Sequence, residues 1–111
     1  MPRLSEAEVR TEIDRILESL LAYDPQRIIL YGSFARGDYH VGSDLDLIIV
    51  KDTDRPFTER IGDVLRLCRS RIPIEPLVYR PSEITAMLER GNDFLETALS
   101  EGIVLYEQQR G

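Results

Sequence analysis

Three things are scarce in this chain of 111 residues, and each scarcity excludes a class of protein. No apolar run is long enough to cross a bilayer and no charged and apolar leader precedes the first helical pattern, so we expect a cytoplasmic protein without membrane association. The only cysteine, Cys68, excludes an intrachain disulfide and a metal site built from several thiolates. Acidic residues outnumber basic ones, and the net charge of −6 argues against non-specific binding of nucleic acid through its phosphates.

What the chain does contain is typical of one globular domain, since 42% of its residues are hydrophobic and 31% are charged. Hydrophobic spacing and turn residues predict helices over 5–22, 57–72, 82–91 and 92–102, and strands over 27–31, 45–50, 73–79 and 103–106. This α-β-β-α-β-α-α-β order predicts an α/β (α+β) fold over residues 1–111, in which helices flank a small mixed sheet. Pro73 and Pro76 predict that the third strand lies at an edge of that sheet or in an irregular position.

The helical patterns carry expectations of their own. Ser5 is expected to begin the first helix with a capping box, and Ser82 to cap the third long helix. Cys68 falls on the apolar face of the second long helix, which predicts a buried core thiol. The other side of that helix is expected to be solvated and carries Arg60, Arg66 and Arg69.

Asp44 and Asp46 stand at the start of the second predicted strand. Side chains two residues apart on a strand share a face, so both carboxylates could bind one metal ion or a pair of ions. Magnesium prefers such oxygen ligands and is commonly held by one or two carboxylates together with substrate phosphates. The alternative is a pair of solvated residues in a turn, which is the more frequent explanation for an isolated Asp-x-Asp.

The connector of residues 32–43 favours the metal-binding interpretation of Asp44 and Asp46 over the solvated turn. Gly32 and Ser33 end the first strand, and antiparallel pairing would bring them to the same end of the sheet as Asp44. Small residues there leave backbone N–H groups and the Ser33 hydroxyl available to phosphate oxygens. Arg36 is a candidate phosphate contact, with a surface ion pair to Asp38 as the equal alternative, and Ser43 could cap the strand or touch the triphosphate.

Glu75 is a third acidic residue that needs an explanation, because it lies inside the apolar third strand. If this strand neighbours the second, Glu75 joins the Asp-x-Asp pair and could bind metal or accept a proton from an attacking hydroxyl. The alternative is an edge-strand residue that points to water. The single histidine, His40, lies in the connector and is expected to be solvated.

Taken together, these residues resemble the signature of the polymerase-beta-like nucleotidyltransferase superfamily. Gly32-Ser33, ten intervening residues and then Asp44-x-Asp46 match that signature, and residues 32–37 with 43–47 are similar to its minimal nucleotidyltransferase branch. The match is tight over residues 28–50, and the predicted elements suit the compact fold of the family over nearly the whole chain.

The resemblance implies an enzyme that transfers AMP from ATP to a hydroxyl group and releases pyrophosphate. It implies that Asp44 and Asp46 hold two Mg²⁺ ions, that Gly32 and Ser33 bind the nucleotide, and that a later carboxylate takes part in catalysis. Glu75 is the best match to that carboxylate, although the family usually has aspartate there. Members of this branch often act as antitoxins of HEPN-domain ribonucleases encoded nearby, and are thought to adenylylate a toxin tyrosine.

Three hypotheses follow for the function. The first is the adenylyltransferase that acts on a HEPN-domain partner, whose basic surface would suit the acidic charge of this chain. The second is an antitoxin that neutralises its partner by occlusion with little or no catalysis, motivated by glutamate at position 75. The third is transfer to a small molecule such as an aminoglycoside, which the short chain disfavours because it leaves no second domain to form an acceptor pocket. A homo-oligomer is compatible with each of them.

Overall fold

The computed structural model describes residues 4–109. Its elements are, in order, α1 (Glu6–Leu21), β1 (Arg27–Tyr31), α2 (Ser33–Arg36), β2 (Leu45–Val50), α3 (Phe57–Leu67), β3 (Ile74–Tyr79), α4 (Pro81–Glu89), α5 (Asp93–Glu101) and β4 (Ile103–Glu107). The Ser5 capping box of α1 is present as predicted, with Ser5 and Glu8 each accepting the other's backbone N–H. Within these residues no helix is long and apolar enough to cross a membrane.

The four strands form one mixed sheet in the order β3-β2-β1-β4. β1 pairs antiparallel with both β2 and β4, whereas β2 and β3 run parallel. The predicted α/β class and mixed sheet are therefore confirmed, as is the edge position of β3, where Pro76 cannot donate a ladder hydrogen bond. The antiparallel β1–β2 pair brings the end of β1 and the start of β2 to the same end of the sheet.

Helices cover both faces of the sheet, which divides the buried side chains into two layers. One layer packs α1 and α3 against one face, with Ile16, Leu20, Ile28, Leu30, Leu47, Ile49 and Val64 at its centre. The other packs α4 and α5 against the opposite face around Ile29, Ile48, Val50, Leu95 and Ala98. Because strand side chains alternate between faces, Asp46 shares the second face with Ile48 and Val50.

Two helix boundaries differ from the sequence prediction. α3 ends at Leu67, and Cys68 has extended backbone angles, so the prediction that Cys68 and Ile72 continue a helix was wrong, although both side chains are buried. Beyond the end of the helix, Arg71 donates its N–H to the carboxylate of Glu12 in α1, a contact that no local pattern reveals. At α4 the predicted Ser82 cap was also wrong: Arg80 is the N-cap and Pro81 occupies the first helical turn, where its missing N–H costs nothing.

Arg60 also departs from the prediction, because it is buried rather than solvated. Its guanidinium donates to the carboxylate of Glu83 in α4 at 2.7 Å and to the carbonyl oxygen of Val78 in β3 at 3.0 Å. The charge is therefore paired and hydrogen-bonded, which is the condition under which an arginine is tolerated inside a protein. This ion pair ties α3 to α4 across the edge of β3.

Candidate active site

Gly32 places the backbone of the β1–α2 turn directly beside a carboxylate of β2. It has a φ of +78°, which only glycine adopts without strain. A Cβ at this position would overlap the Oδ2 atom of Asp46. The glycine is therefore needed both for the turn and for the close approach, and Ser33 follows it as the first residue of α2.

Strand register assembles three side chains from three strands around that turn. Asp46 stands opposite Tyr31 across the antiparallel β1–β2 pair and beside Glu75 across the parallel β2–β3 pair. Asp44 precedes β2 by one residue on the same side of the chain. The prediction that Glu75 joins the Asp-x-Asp pair if β3 neighbours β2 is met by this arrangement.

The acidic cluster is electrostatically strained. The pKa of Asp46 is raised from its ordinary 3.8 to about 6, first by burial and then by the charge of Glu75, a side-chain hydrogen bond with Glu75 and the charge of Asp44. Arg36 opposes it, because its positive charge lowers the pKa of Asp46. At neutral pH the cluster thus gathers negative charge that a cation would stabilise.

Tyr31 belongs to the site, and sequence reasoning did not include it. Burial raises the pKa of Tyr31 to about 12, followed in effect by the charges of Asp46, Tyr79 and Glu75. Its ring also packs edge-on against Phe94 of α5, with centroids 5.5 Å apart. The sequence could have indicated Tyr31 through its position directly before Gly32. A strand residue that pairs with Asp46 has its side chain on the same face of the sheet as the carboxylates.

The donor set fits a magnesium-dependent reaction of ATP better than it fits a metal cage made by the protein alone. Across residues 4–109 no three His, Cys, Asp or Glu side chains form a group arranged to hold a metal ion. Magnesium, however, needs only one or two carboxylates when substrate phosphates and water complete its coordination. Asp44 and Asp46 would supply those carboxylates, and their mutual repulsion would be relieved by the ion.

Two alternatives were open for Glu75, a member of the acidic cluster or an edge residue facing water, and two for Arg36, a phosphate contact or an ion pair with Asp38. The structure shows features of both alternatives for each residue. The side chain of Glu75 is exposed at the sheet edge, yet it hydrogen-bonds with Asp46. Arg36 pairs with Asp38 through an Nε–Oδ2 contact of 3.2 Å, yet it also borders the same cleft as Gly32. The ion pair with Asp38 is exposed and therefore weak, so a phosphate could displace it at little cost.

Ser43 and His40 face a different cavity from the carboxylates. The Ser43 hydroxyl accepts the backbone N–H of His40 at 2.9 Å and closes the connector turn. His40 is exposed, as expected, and its Nδ1 lies 2.7 Å from the carbonyl oxygen of Val41. Both residues line a cavity together with Phe34 and Pro73 on the connector side.

Comparisons with known proteins show the family to which these residues belong. Residues 11–111 match the family described as polymerase beta, nucleotidyltransferase. The "Putative protein adenylyltransferase MJ0604" of Methanocaldococcus jannaschii is 33% identical over 103 residues, which cover 93% of this chain and all of that protein. The "Putative protein adenylyltransferase MJ0141" of the same organism is 28% identical over 93 residues, covering 78% of this chain and 92% of that protein.

Two solved structures share the fold at low sequence identity. A crystal structure of a putative nucleotidyltransferase from Sulfolobus solfataricus superposes with a TM-score of 0.56 at 17% identity, covering 97% of this chain and 94% of that one. A crystal structure of a toxin–antitoxin with AMP-PNP has a TM-score of 0.58 at 18% identity and covers 86% of this chain and 73% of that one. Both likenesses concern the arrangement of helices and strands described above.

Proposed function

Because the chain belongs to the polymerase beta, nucleotidyltransferase family, we propose that it transfers AMP from ATP to a tyrosine hydroxyl of a partner protein. The observation that carries the proposal is the pairing of Asp46 with Glu75 on adjacent parallel strands, beside the Gly32-Ser33 turn. The two similar M. jannaschii proteins are named as adenylyltransferases of proteins, which supports a protein acceptor. The similar toxin–antitoxin structure is one with AMP-PNP, which supports an adenine nucleotide as donor.

The residues divide the work of the reaction between them. The turn at Gly32 and Ser33 offers N–H groups and a hydroxyl to the triphosphate, and Arg36 adds a positive charge. Asp44 and Asp46 would hold two Mg²⁺ ions, with Glu75 as a further oxygen ligand, and the metal would supply charge neutralisation at the reacting phosphate. Ser43 stays a predicted nucleotide contact, acting from the side of the connector.

Glu75 has the position of a base at the exposed side of the cluster. The acceptor oxygen forms a bond to the α-phosphorus of ATP, the bond between the α- and β-phosphates breaks, and pyrophosphate leaves. The proton of the hydroxyl passes to the Glu75 carboxylate, whose exposure leaves room for an acceptor brought by another protein. Residues 1–111 would thus form one catalytic domain, with the acceptor side chain presented from outside.

The partner we propose is a HEPN-domain ribonuclease encoded by a neighbouring gene, with this chain as its antitoxin. The net charge of −6 favours a partner with a basic surface, as a ribonuclease that binds RNA would have. The fold likeness to a chain of a toxin–antitoxin structure supports the same assignment. Addition of AMP to a tyrosine would bring a phosphate charge to the partner and so weaken its contact with RNA.

The test is transfer of label from α-labelled ATP to the product of the adjacent gene, with Mg²⁺ present. We expect labelling by the wild type, and loss of labelling in Asp44→Asn and Asp46→Asn. Asp52→Asn is the matched control, because Asp52 is an exposed aspartate just beyond the other end of β2. Labelling that survives in the Asp44 and Asp46 variants, or its absence from every protein partner offered, would refute the proposal.

A second candidate is neutralisation by occlusion, and the exposure of Glu75 is what favours it. A glutamate in place of aspartate moves the carboxylate by about an ångström, which can cost ~100-fold in rate. An occluding antitoxin would still neutralise its partner as Asp46→Asn, whereas an adenylyltransferase would not. Neutralisation by that variant therefore separates the two functions.

A further inference from the structure

The cleft bordered by Gly32 and Arg36 extends from the phosphate turn to helix α5. It has a volume of about 450 Å³ and lies between the end of β1 and helix α5, lined by Tyr31, Gly32, Arg36, Phe94, Thr97 and Glu101. This volume is in the range of about 300–1,000 Å³ that is usual for sites of small molecules. Because Gly32 and Arg36 also border the acidic cluster, the cleft is continuous with the proposed triphosphate site.

One stripe of α5 forms the far wall of the cleft. Phe94, Thr97 and Glu101 are three and four residues apart, so they face the same direction along the helix. The next stripe packs Leu95 and Ala98 into the buried layer over the sheet, which fixes the orientation of the wall. The C-terminal end of α5 is closely packed as well, because a Cβ on Gly102, which follows Glu101, would overlap the backbone carbonyl oxygen of Ala98.

The two ends of the cleft differ in charge. The end near Gly32 and Arg36 offers N–H groups and a positive charge, whereas Asp93, at the start of α5 beside Phe94, brings a carboxylate. A phosphate would be repelled by this carboxylate, but sugar hydroxyls and a base amino group can donate hydrogen bonds to it. The polarity thus orients an elongated ligand with its phosphates at the turn and its uncharged half at α5.

Phe94 gives that uncharged half a surface to stack on. Phe94 is 45% exposed, so its ring is accessible to a ligand, and its edge-on contact with Tyr31 holds the ring in place. Stacking on an aromatic ring is the common way in which proteins hold a base without reading its sequence.

We propose that this cleft binds the nucleoside half of the triphosphate, with the base stacked on Phe94 and the Asp93 carboxylate accepting hydrogen bonds from it. The inference rests on the proposed function, because it needs the phosphates at the Gly32 turn. It adds a determinant of substrate binding in α5, outside the motif that carries the phosphates and the metal.

The test compares binding of ATP with binding of inorganic tripolyphosphate, each with Mg²⁺, by calorimetry on the full chain. Phe94→Ala should weaken ATP binding about 10-fold, since stacking of a base is lost, and should leave tripolyphosphate binding unchanged. Thr97→Phe, which fills the cleft, should have the same selective effect. Phe57→Ala is the matched control, because Phe57 is 37% exposed and also packs on a tyrosine, with centroids 5.5 Å apart, but lies in another groove.

The outcomes separate this inference from the function on which it rests. ATP binding by the wild type that Phe94→Ala and Thr97→Phe leave unchanged would overturn the nucleoside cleft while the proposed function stands. Equal weakening of ATP and tripolyphosphate would also overturn it, since a stacking surface does not act on phosphates. A wild type that binds neither ligand would refute the proposed function and the cleft together.

Discussion

Replacing Asp46 by asparagine should stabilise the protein while it abolishes transfer. The rise in the pKa of Asp46 from 3.8 to about 6 means that ionising this carboxylate costs more free energy in the folded state than in the unfolded state. The difference converts to ~3 kcal/mol, because one pKa unit is worth about 1.4 kcal/mol. Asp46 is only half-buried, so screening by solvent reduces the expected gain in Asp46→Asn to about 1 kcal/mol at pH 7.5.

The sign of this effect gives it a distinct dependence on pH. A carboxyl whose pKa is raised in the folded state adds stability when protonated, fully below pH 3.8, and loses it as the pH rises through about 6. Asparagine resembles the protonated form, so its advantage should be complete at pH 7.5 and should vanish near pH 4.

Urea denaturation in metal-free buffer measures the difference in the free energy of unfolding at both pH values. At pH 7.5 this difference corresponds to a melting temperature that is about 4 °C higher for Asp46→Asn. Asp52→Asn is again the control and should show no gain, since this side chain is exposed. Mg²⁺ should stabilise the wild type more than Asp46→Asn, because it binds the ionised carboxylate. A variant that is no more stable than the wild type at pH 7.5, or equally favoured at pH 4, would refute the electrostatic reasoning.

Three further predictions concern other parts of the site and its frame. Gly32→Ala should lose transfer and about 1–2 kcal/mol of stability, measured by labelling and urea denaturation, because alanine is strained at this φ and its Cβ overlaps Asp46; wild-type stability would contradict this. Glu75→Gln should lower kcat with little change in the KM for ATP, because the base is lost and the nucleotide contacts remain, whereas a change in KM alone would assign Glu75 to binding. Arg60→Met should cost about 2 kcal/mol in urea denaturation, because it removes the charged hydrogen bonds from the buried guanidinium to the Glu83 carboxylate and the Val78 carbonyl oxygen; a change below ~0.5 kcal/mol would mean that the buried pair contributes little.

The parts of the site that the sequence predicted are those encoded by local patterns. The end of β1, the glycine turn and the start of β2 lie within twenty residues, so turn chemistry and strand alternation were enough to bring Gly32 beside Asp46. The placement of Glu75 needed one further inference, that β3 neighbours β2, and the prolines of β3 already indicated an edge position there.

The parts that were missed depend on partners distant in the sequence. Arg60 was expected to be solvated because its partners, Val78 and Glu83, lie about twenty residues away and are not visible in a helical pattern. The end of α3 was misplaced for a similar reason, since the carboxylate of Glu12 receives the N–H of Arg71 from 59 residues away. In each case the residue makes a tertiary hydrogen bond to a partner that lies outside the range of a local helical pattern.

The nucleoside cleft depends on the longest-range relation in the sheet. β4 runs antiparallel to β1 and starts where β1 ends, with Ile103 opposite Leu30. Glu101 stands two residues before the first residue of β4 and Gly32 immediately follows β1, so this pairing brings the last turn of α5 next to the phosphate turn. The helix then runs away from that point and carries Phe94 two turns further along the wall. An edge strand far from the motif thereby sets the distance between the phosphates and the surface proposed for the base.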